Sequence, residues 1–541
     1  MIAARPDAGS EEATDRPDAW WSPQVDRAAR LVFFALVVVT AVTLRLLAED
    51  QWFQIDEWGF LADRRLDRIG DLFRPFNQHW STLPILVYRG LWRLVGLRHY
   101  WPYQLLAIAS HLCVGCLLMV TMRRTGVHPW LATAAIGLFL LYGSGRDNIV
   151  NGFQIGFTGA LALGLASLLL TDHGGPFDRR RDGAGMACGL TALMCSGIGV
   201  PMVLTLALAT TVRRGLRTAV LLVGPLLAVY AVWFTLAGST ASVGEPTVRQ
   251  ILSYAKDLVL APFGDMTQVP GLGWLLAAVA VAGLVLLATS AAWRTSTRLY
   301  AVPIALVGGL AILALSVAQG RAGIPGGPPA GSERYTYVAA AMLLPALALG
   351  LSEVARRARP ALLLGVGLLL VGIPGNIDAF TTDPTYVLGG RELVLSVARL
   401  AGTSDEPAEL QPLSIDAPYL TIGWLREGRR SGHIPDPPRS TPRAVEQRAL
   451  LHMSLFNVDP DRERERGCEA VQTQPPITVE PGARLVVDGP KVAVFRLAEG
   501  KILSGATFFR RTGEDRLALH ALGGPLVLKI DAADAPVSIC R

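Results

Sequence analysis

Residues 179–214 read RRRDGAGMACGLTALMCSGIGVPMVLTLALATTVRR, in which a largely apolar run of 27 residues, 185–211, separates two arginine groups. Arginine groups in short loops are typical of the cytoplasmic side of a membrane protein. Both groups therefore belong on one side, whereas a single long helix would put them on opposite sides. Gly197, Gly199 and Pro201 lie in the middle of the run and favour a break. We predict two short helices that form a hairpin.

The whole chain has the composition of a polytopic membrane protein. Of its 541 residues, 51% are hydrophobic and 17% are charged, which is too apolar for a soluble protein of this length. Apolar runs of about 20 residues can cross the hydrocarbon core, and the other runs lie near 31–48, 101–122, 129–142, 152–171, 217–238, 271–291, 299–318, 335–352 and 361–373. With the hairpin counted twice, we predict an α-helical bundle of eleven spans.

Charge sets the predicted orientation. The formal charge of +6 comes from arginines spread over short loops, so no nucleic-acid partner is expected. Arginine groups at 123–124, 179–181, 213–217, 294–298 and 356–359 predict five cytoplasmic loops. The protein is then predicted to lie in the cytoplasmic membrane with its N-terminus in the cytoplasm. The longer loops 49–100, 143–151, 239–270 and 319–334 lie outside.

Three domains follow from composition. Residues 1–30 are polar and predict a disordered cytoplasmic tail, and residues 31–375 form the membrane domain. Residues 376–541 are rich in Pro, Asp and Arg and predict an exported α+β or β-rich domain. Its predicted helices lie near 387–401 and 418–431, and its strands at 484–487, 491–495 and 525–530. In the first outer loop, residues 83–97 predict an amphipathic helix in the membrane interface.

The adjacent acids Asp56 and Glu57 are the first candidate site residues. They follow the first span and are flanked by Trp52, Phe53 and Trp58. Such an aromatic setting would partly desolvate a carboxylate and raise its basicity. A base there could take a proton from an acceptor hydroxyl that attacks a lipid-linked sugar. The alternative is a solvated loop acid or a charge at a helix N-terminus.

Further polar groups lie in the same set of outer loops. Asn77 and His79 are candidates to bind acceptor hydroxyls or a donor phosphate, or His79 is simply hydrogen-bonded in its loop. Arg146, Asn151 and Gln154 surround the start of a span, where polar groups are costly unless they have partners. They either satisfy a helix end or belong to a site, and Arg146 could pair with Asp147.

Arg334 and Tyr335 enter a late span from outside, after a loop rich in Gly and Pro. An arginine at that depth suits a lipid phosphate, because its guanidinium binds phosphate oxygens in a fork. Snorkelling to headgroups is the alternative. Of the six cysteines, only Cys468 and Cys540 lie in the predicted exported domain, so a disulfide between them is expected.

The motifs Asp56-Glu57-Trp58, Asn77-x-His79-Trp80, Asn151 to Phe157 and Glu333 to Tyr337 together give the chain a family resemblance. Over residues 31–375 it resembles the GT-C superfamily of membrane glycosyltransferases, which includes protein O-mannosyltransferases and the lipid A aminoarabinose transferase. The resemblance implies a polyprenyl-phosphate sugar donor and a glycan, lipid or protein acceptor. It also implies a catalytic role for Asp56, with Glu57 beside it, and phosphate binding by Arg334.

Two other functions compete with glycosyl transfer. A transporter or flippase of a cell-envelope precursor would need polar groups near mid-membrane, and the predicted span centres carry few. An envelope scaffold would need fewer spans than eleven. No Cys/His grouping has the spacing of a zinc site, and the sequence leaves open whether a divalent metal assists transfer.

Overall fold

In a computed structural model, the chain is described over residues 20–238, 246–290, 293, 297–324, 327–381, 385–412, 417, 419–453 and nine strands beyond residue 454. It divides into two compact units. Unit 1 comprises Met1–Glu49, Phe73–Pro84 and Tyr103–Thr382. Unit 2 comprises Asp50–Leu72, Ile85–Pro102 and Asp383–Arg541.

Helices form most of the described chain up to residue 453. The first ten are α1 (Pro23–Leu47), α2 (Glu57–Leu61), α3 (Ile69–Phe73), α4 (Thr82–Val95), α5 (Trp101–Arg124), α6 (Pro129–Leu140), α7 (Arg146–Val150), α8 (Ile155–Thr171), α9 (Arg181–Leu193) and α10 (Gly199–Arg214). The others are α11 (Leu216–Ala237), α12 (Val248–Thr267), α13 (Leu272–Ala288), α14 (Ala301–Arg321), α15 (Glu333–Arg357), α16 (Ala361–Leu370), α17 (Ile373–Asp378), α18 (Thr385–Thr403), α19 (Ile422–Arg430) and α20 (Arg443–His452).

The predicted break between residues 185 and 211 is present. Helix α9 ends at Leu193 and α10 begins at Gly199. The buried carboxylate of Asp182, at the start of α9, accepts hydrogen bonds from Arg214, at the end of α10, over 2.7 and 3.0 Å. This ion pair joins the two arginine groups at one end of unit 1, as a hairpin requires.

Other arginines collect at this same end, which we call the arginine end. Arg123, at the end of α5, pairs with Asp26, at the start of α1. Arg213 lies 3.5 Å from Asp172, just after α8. Because these contacts join the termini of α1, α5, α8 and α10, polar side chains close one end of the apolar helices.

The opposite end of unit 1, which we call the Asp147 end, contains the connection from α6 to α8. Two 3₁₀ turns, Gly143–Gly145 and Gly152–Gln154, flank the short helix α7 there. Helix α15 starts at the same end, because the Asn148 side chain donates to the Arg334 carbonyl oxygen over 2.9 Å.

In the described part of the chain, seven helices are long and apolar enough to cross a membrane, so this is a helical polytopic membrane protein. Counting the bent pair α12–α13 as one span gives eight. Helix α6 has 12 residues, and the hairpin helices α9 and α10 have 13 and 16. At 1.5 Å per residue, these three are shorter than the roughly 30 Å hydrocarbon core. The predicted count of eleven spans therefore stays a prediction.

Within residues 239–270, which were predicted as an outer loop, the structure has the helix α12, which the sequence did not predict. Its start is a capping box, in which the Thr247 side chain and the Gln250 side chain each bind the other's backbone. The Tyr254 hydroxyl donates to the Pro328 carbonyl oxygen, and Tyr142 bonds Asp265 near the C-terminus of α12. The chain then turns by 110° into α13. Helix α12 therefore runs along the Asp147 end.

Close packing of glycines brings α13 and α15 together. A Cβ atom at Gly283 would overlap the carbonyl oxygen of Gly350, and one at Gly350 would overlap the carbonyl oxygen of Ala280. Small residues at such interfaces let helix backbones approach in a membrane, where packing rather than the hydrophobic effect drives association.

Unit 2 combines helices with two antiparallel sheets. Its strands are β1 (Leu455–Val458), β2 (Cys468–Val471), β3 (Ile477–Val479), β4 (Arg484–Val487), β5 (Lys491–Ala498), β6 (Lys501–Phe509), β7 (Arg516–His520), β8 (Leu526–Ala532) and β9 (Val537–Cys540). The strand order is β1-β7-β4-β9-β2 in the five-stranded sheet and β3-β8-β5-β6 in the four-stranded sheet. Strands β4, β5 and β8 coincide with the three predicted strand segments. Helices α18 and α19 coincide with the two predicted helices.

Pieces of the first outer loop belong to unit 2. Trp92 of α4 stacks on Trp424 of α19, with ring centroids 4.5 Å apart. The Leu97 backbone N–H donates to the His433 carbonyl oxygen over 2.8 Å. The compact unit that holds the C-terminal region thus also includes residues 50–72 and 85–102, which the sequence assigned to the membrane domain.

We predict that Cys468 and Cys540 form a disulfide. In the backbone register of β2 and β9 they are opposite each other, and opposite residues of antiparallel strands have Cα separations of about 4.5–5.5 Å, within the range for a disulfide. Cys468→Ser should lower the free energy of unfolding of unit 2 by about 2–5 kcal/mol. Pulse proteolysis in urea measures this loss.

Cys188→Ser, which alters a free thiol of α9, is the matched control and should leave the proteolysis midpoint unchanged. Peptide mapping without reductant should recover Cys468 and Cys540 in one linked species. Recovery of both as free thiols would reject the bond.

Candidate functional site

Asp147 lies at the centre of a polar cluster at the Asp147 end of unit 1. One carboxylate oxygen accepts from the Asn151 side-chain amide over 3.1 Å, and the other accepts from the Gln154 amide over 2.9 Å. The Asn151 side chain in turn caps the following 3₁₀ turn by accepting from the Phe153 backbone N–H. The loop is therefore folded around the Asp147 carboxylate.

The first turn of α15 closes over this loop. The Glu333 carboxylate accepts from the Asp147 backbone N–H over 2.8 Å, where it also suits the positive end of the short helix α7. The Arg334 guanidinium lies 3.9 Å from the Asp147 carboxylate, and the Arg334 side chain is 42% exposed. Because this contact is long and the side chain is partly exposed, much of the guanidinium is available to another anion.

The structure thus brings four predicted site residues together: Arg146, Asn151, Gln154 and Arg334. The suggested pairing of Arg146 with Asp147 is replaced by the pairing of Asp147 with Arg334. Tyr335 is buried in the apolar core of unit 1, which suits packing rather than ligand contact.

Three buried polar atoms in this cluster have no hydrogen-bond partner among the residues that the structure describes. They are Nε of Arg146, Oδ1 of Asn148 and Oε1 of Gln154. Buried polar atoms are nearly always hydrogen-bonded in folded proteins. One donor and two acceptors therefore remain to be satisfied within a single loop, as expected where a polar ligand or ordered water binds.

Asp265 is a second carboxylate at this end, and it is not among the site residues predicted from the sequence. It accepts a hydrogen bond of 3.2 Å from the Tyr142 hydroxyl. The Asn376 side chain joins the same network, because it donates to the Asp265 carbonyl oxygen over 3.0 Å and accepts from the Ser144 backbone N–H. A lone acid in the apolar stretch 258–267 was the signal that could have found it.

His79 lies in another part of unit 1, at the junction of α9 and α10. Asn77 and Gln78 form a tight turn with φ of 46° and 68°, closed by two backbone hydrogen bonds of 2.9 Å between Phe76 and His79. The turn places the imidazole against Gly197, where a Cβ atom would be 2.7 Å from Nδ1. Asparagine tolerates this left-handed conformation, but Gln78 bears a cost of about 1 kcal/mol.

Stacked tryptophans fix this loop to α11. The rings of Trp80 and Trp233 are parallel, with centroids 5.3 Å apart, and the Trp233 indole donates to the Phe73 carbonyl oxygen over 2.8 Å. Burial, helped by the nearby positive charge of Arg321, lowers the pKa of His79 to about 4. His79 is therefore neutral at pH 7 and can exchange hydrogen bonds with a ligand without adding positive charge.

In unit 2, the adjacent acids Asp56 and Glu57 have different environments. Glu57 is 1% exposed, and its carboxylate accepts hydrogen bonds from the Tyr88 hydroxyl over 2.6 Å and from the Tyr100 hydroxyl over 3.0 Å. A third comes from the Gln54 backbone N–H over 2.7 Å. Asp56 is half-buried at the start of α2 and makes no capping hydrogen bond there.

The different burial of the two carboxylates indicates different roles for Glu57 and Asp56. The Glu57 carboxylate is enclosed and already binds three donors, so it is suited to holding the loop in place. Asp56 is the acid with an accessible part and is the better candidate to meet a substrate. No group of three His, Cys, Asp or Glu side chains in the described ranges could hold a metal ion.

We predict that Glu57→Ala destabilises unit 2 by about 3 kcal/mol or more, because it leaves two buried tyrosine hydroxyls and one N–H without their shared acceptor. Tyr88→Phe should cost less, about 1 kcal/mol. Heating followed by size-exclusion chromatography of the full-length protein measures the loss. Asp67→Ala, at an acid with 63% exposure, is the control, and equal melting of the Glu57 and Asp67 variants would contradict the structural role.

Comparison with known protein families, curated proteins and solved structures finds none that matches this chain. The residues and contacts described above are therefore the basis for a functional proposal.

Proposed function

We propose that the protein is a glycosyltransferase of the cytoplasmic membrane, with an eleven-span bundle, the Asp147 end facing outward and residues 376–541 exported. It would transfer a hexose or pentose from a polyprenyl-phosphate donor to an acceptor hydroxyl. The observation that carries the proposal is the polar cluster of Asp147, Arg334 and Arg146 at one end of a helical membrane bundle. Such a cluster suits a ligand that is polar at one end and apolar along its length.

Arg334 is the proposed phosphate ligand. Its guanidinium is 42% exposed and lies 3.9 Å from Asp147, so binding a phosphate would not require a buried ion pair to break. Arg146 has a buried Nε without a partner among described residues and lies in the adjoining loop. Two guanidinium groups would neutralise much of the charge on a phosphate monoanion or dianion.

Amide groups in the cluster suit the sugar. The unpartnered oxygens of Asn148 and Gln154 are acceptors, and sugar hydroxyls are donors of matching chemistry. His79 and Asn77 form a second polar group, which keeps its proposed role in binding acceptor or donor hydroxyls. Because His79 is neutral, it would position a hydroxyl rather than compensate a negative charge.

Asp56 is the proposed general base. In the reaction, the acceptor oxygen forms a bond to the anomeric carbon while the bond from that carbon to the phosphate oxygen breaks. The acceptor proton passes to Asp56, and polyprenyl phosphate leaves with the bonding electrons. Direct displacement of this kind inverts the anomeric centre. Glu57 would position the Asp56 loop through its bonds to the two tyrosines.

The competing transporter function gains no support from His111, a buried histidine inside α5. One ring nitrogen is 2.9 Å from the Tyr337 hydroxyl and the other is 3.2 Å from the Leu140 carbonyl oxygen. Both nitrogens are therefore occupied by protein groups. A transport route would need such a side chain to face a polar path.

Asp56→Asn should abolish transfer while leaving folding intact, because the amide keeps the size of the carboxylate but cannot accept the proton. We expect a rate loss of about 10²–10⁴-fold. Release of polyprenyl phosphate from a panel of polyprenyl-phosphate sugars, with cell-envelope extract as acceptor, measures turnover. Asp67→Asn is the matched control. Full turnover by Asp56→Asn would overturn the assignment and direct attention to Asp265 or His79.

Arg334→Ala should act mainly through donor binding. Loss of a charge-assisted contact to phosphate should raise the KM for the lipid-linked donor by about tenfold or more, and Arg334→Lys should recover part of it. Arg357→Ala removes an arginine of equal exposure (41%) at the arginine end and should leave the KM unchanged. A fall in kcat alone, or an equal effect of both alanine variants, would contradict phosphate binding by Arg334.

A further inference from the structure

A cavity of about 960 Å³ opens at the arginine end of unit 1, away from the Asp147 cluster. It lies between the start of α1, the ends of α5 and α10, the start of α9 and Asp172, which follows α8. Its charged lining consists of Arg30, Arg123, Arg124, Arg181, Arg213, Asp26 and Asp172. Five arginines against two aspartates give an excess of three positive charges.

The two aspartates do not neutralise this lining. Asp26 pairs with both Arg30 and Arg123, so one carboxylate serves two guanidinium groups. Nη1 of Arg123 is buried and has no hydrogen-bond partner among the described residues. Nη1 of Arg124 donates to the Leu169 carbonyl oxygen over 2.9 Å and lies 3.8 Å from Asp172. The cavity therefore holds a buried guanidinium donor, Nη1 of Arg123, that no described residue satisfies, and its lining has more arginines than carboxylates.

The other wall of the cavity is apolar and continues onto the outside of the helices. Phe33 and Met119 form buried parts of this wall. Phe34 and Val120 also line it, and they are 62% and 40% exposed on α1 and α5. Since both helices are candidate membrane spans, these exposed side chains lie where acyl chains would meet the protein.

We propose that this cavity binds the phosphate headgroup of an anionic phospholipid, with an acyl chain along the apolar strip of Phe34 and Val120. The volume exceeds what a phosphate alone would need and falls within the range of sites for larger ligands. Basic pockets between membrane helices are suited to anionic headgroups. A soluble phosphate would use the arginines but would leave the apolar wall uncovered. The site is separate from the proposed transferase chemistry.

Binding can be measured on the detergent-solubilised full-length protein by the shift in melting temperature on titration with defined lipids. Phosphatidylglycerol should raise the melting temperature at concentrations at which phosphatidylcholine of the same acyl chains does not. High salt should weaken the effect only in part, because the acyl contact is not electrostatic. Inorganic phosphate alone should give little or no shift.

The double variant R30Q/R124Q tests the headgroup contacts at two of the more exposed arginines, which are 68% and 42% exposed. We expect the apparent Kd for phosphatidylglycerol to rise by about tenfold or more, since each arginine near a lipid surface contributes roughly fivefold. R30K/R124K should retain binding. R357Q, a half-exposed arginine at the same end but outside the cavity, should bind as the wild type does.

Equal shifts by phosphatidylglycerol and phosphatidylcholine on the wild-type protein would overturn the proposal, and this comparison holds even where R30Q/R124Q does not fold. A shift by inorganic phosphate as large as that by phosphatidylglycerol would mean a soluble-anion site instead. If R30Q/R124Q and R357Q lose phosphatidylglycerol binding equally, the binding depends on general surface charge and not on this cavity. Failure of glycosyl transfer leaves these lipid titrations unaffected.

Discussion

The exclusion of arginine from the hydrocarbon core is the constraint on which unit 1 depends. Arg179–Arg181 and Arg213–Arg214 stay at one end only if the apolar residues between them go out and return. The ion pair of Asp182 with Arg214 holds that end together. Once the chain must turn, the turn falls where Gly197 and Gly199 lower its cost. The same turn makes room for His79, because Gly197 has no side chain and the imidazole packs directly against it.

The polar cluster around Asp147 lies at the other end of unit 1, where polar groups also need hydrogen-bond partners. A loop between two membrane helices must satisfy its own backbone and side chains. Asn151 and Gln154 do so by binding Asp147, and Glu333 binds the backbone of α7. Arg334 is the member of the cluster whose guanidinium can still bind another anion. A site for a charged ligand can therefore arise from groups that first serve to close a helix end.

Much of this arrangement could be predicted from the sequence, because membrane-length apolar runs and arginine loops are strong signals. The hairpin break, α4 and the grouping of Arg146, Asn151, Gln154 and Arg334 belong to that part. Helix α12 was missed because its Asp, Lys and Arg residues reduce its hydropathy, while its Thr247–Gln250 capping box is a signal of only four residues. The burial of Glu57 beside the half-buried Asp56 could not be predicted either, since Tyr88 and Tyr100 are 31 and 43 residues away.

The contact of Gly283 with Gly350 has a consequence for how this sequence can change. A substitution of either glycine by valine or leucine would make its helix more hydrophobic and, by hydropathy, a better membrane span. The same substitution would force α13 from α15, because each added methyl group would occupy space already filled by backbone. At these two positions selection therefore acts on volume, and lipid solubility is no guide to which residues are tolerated.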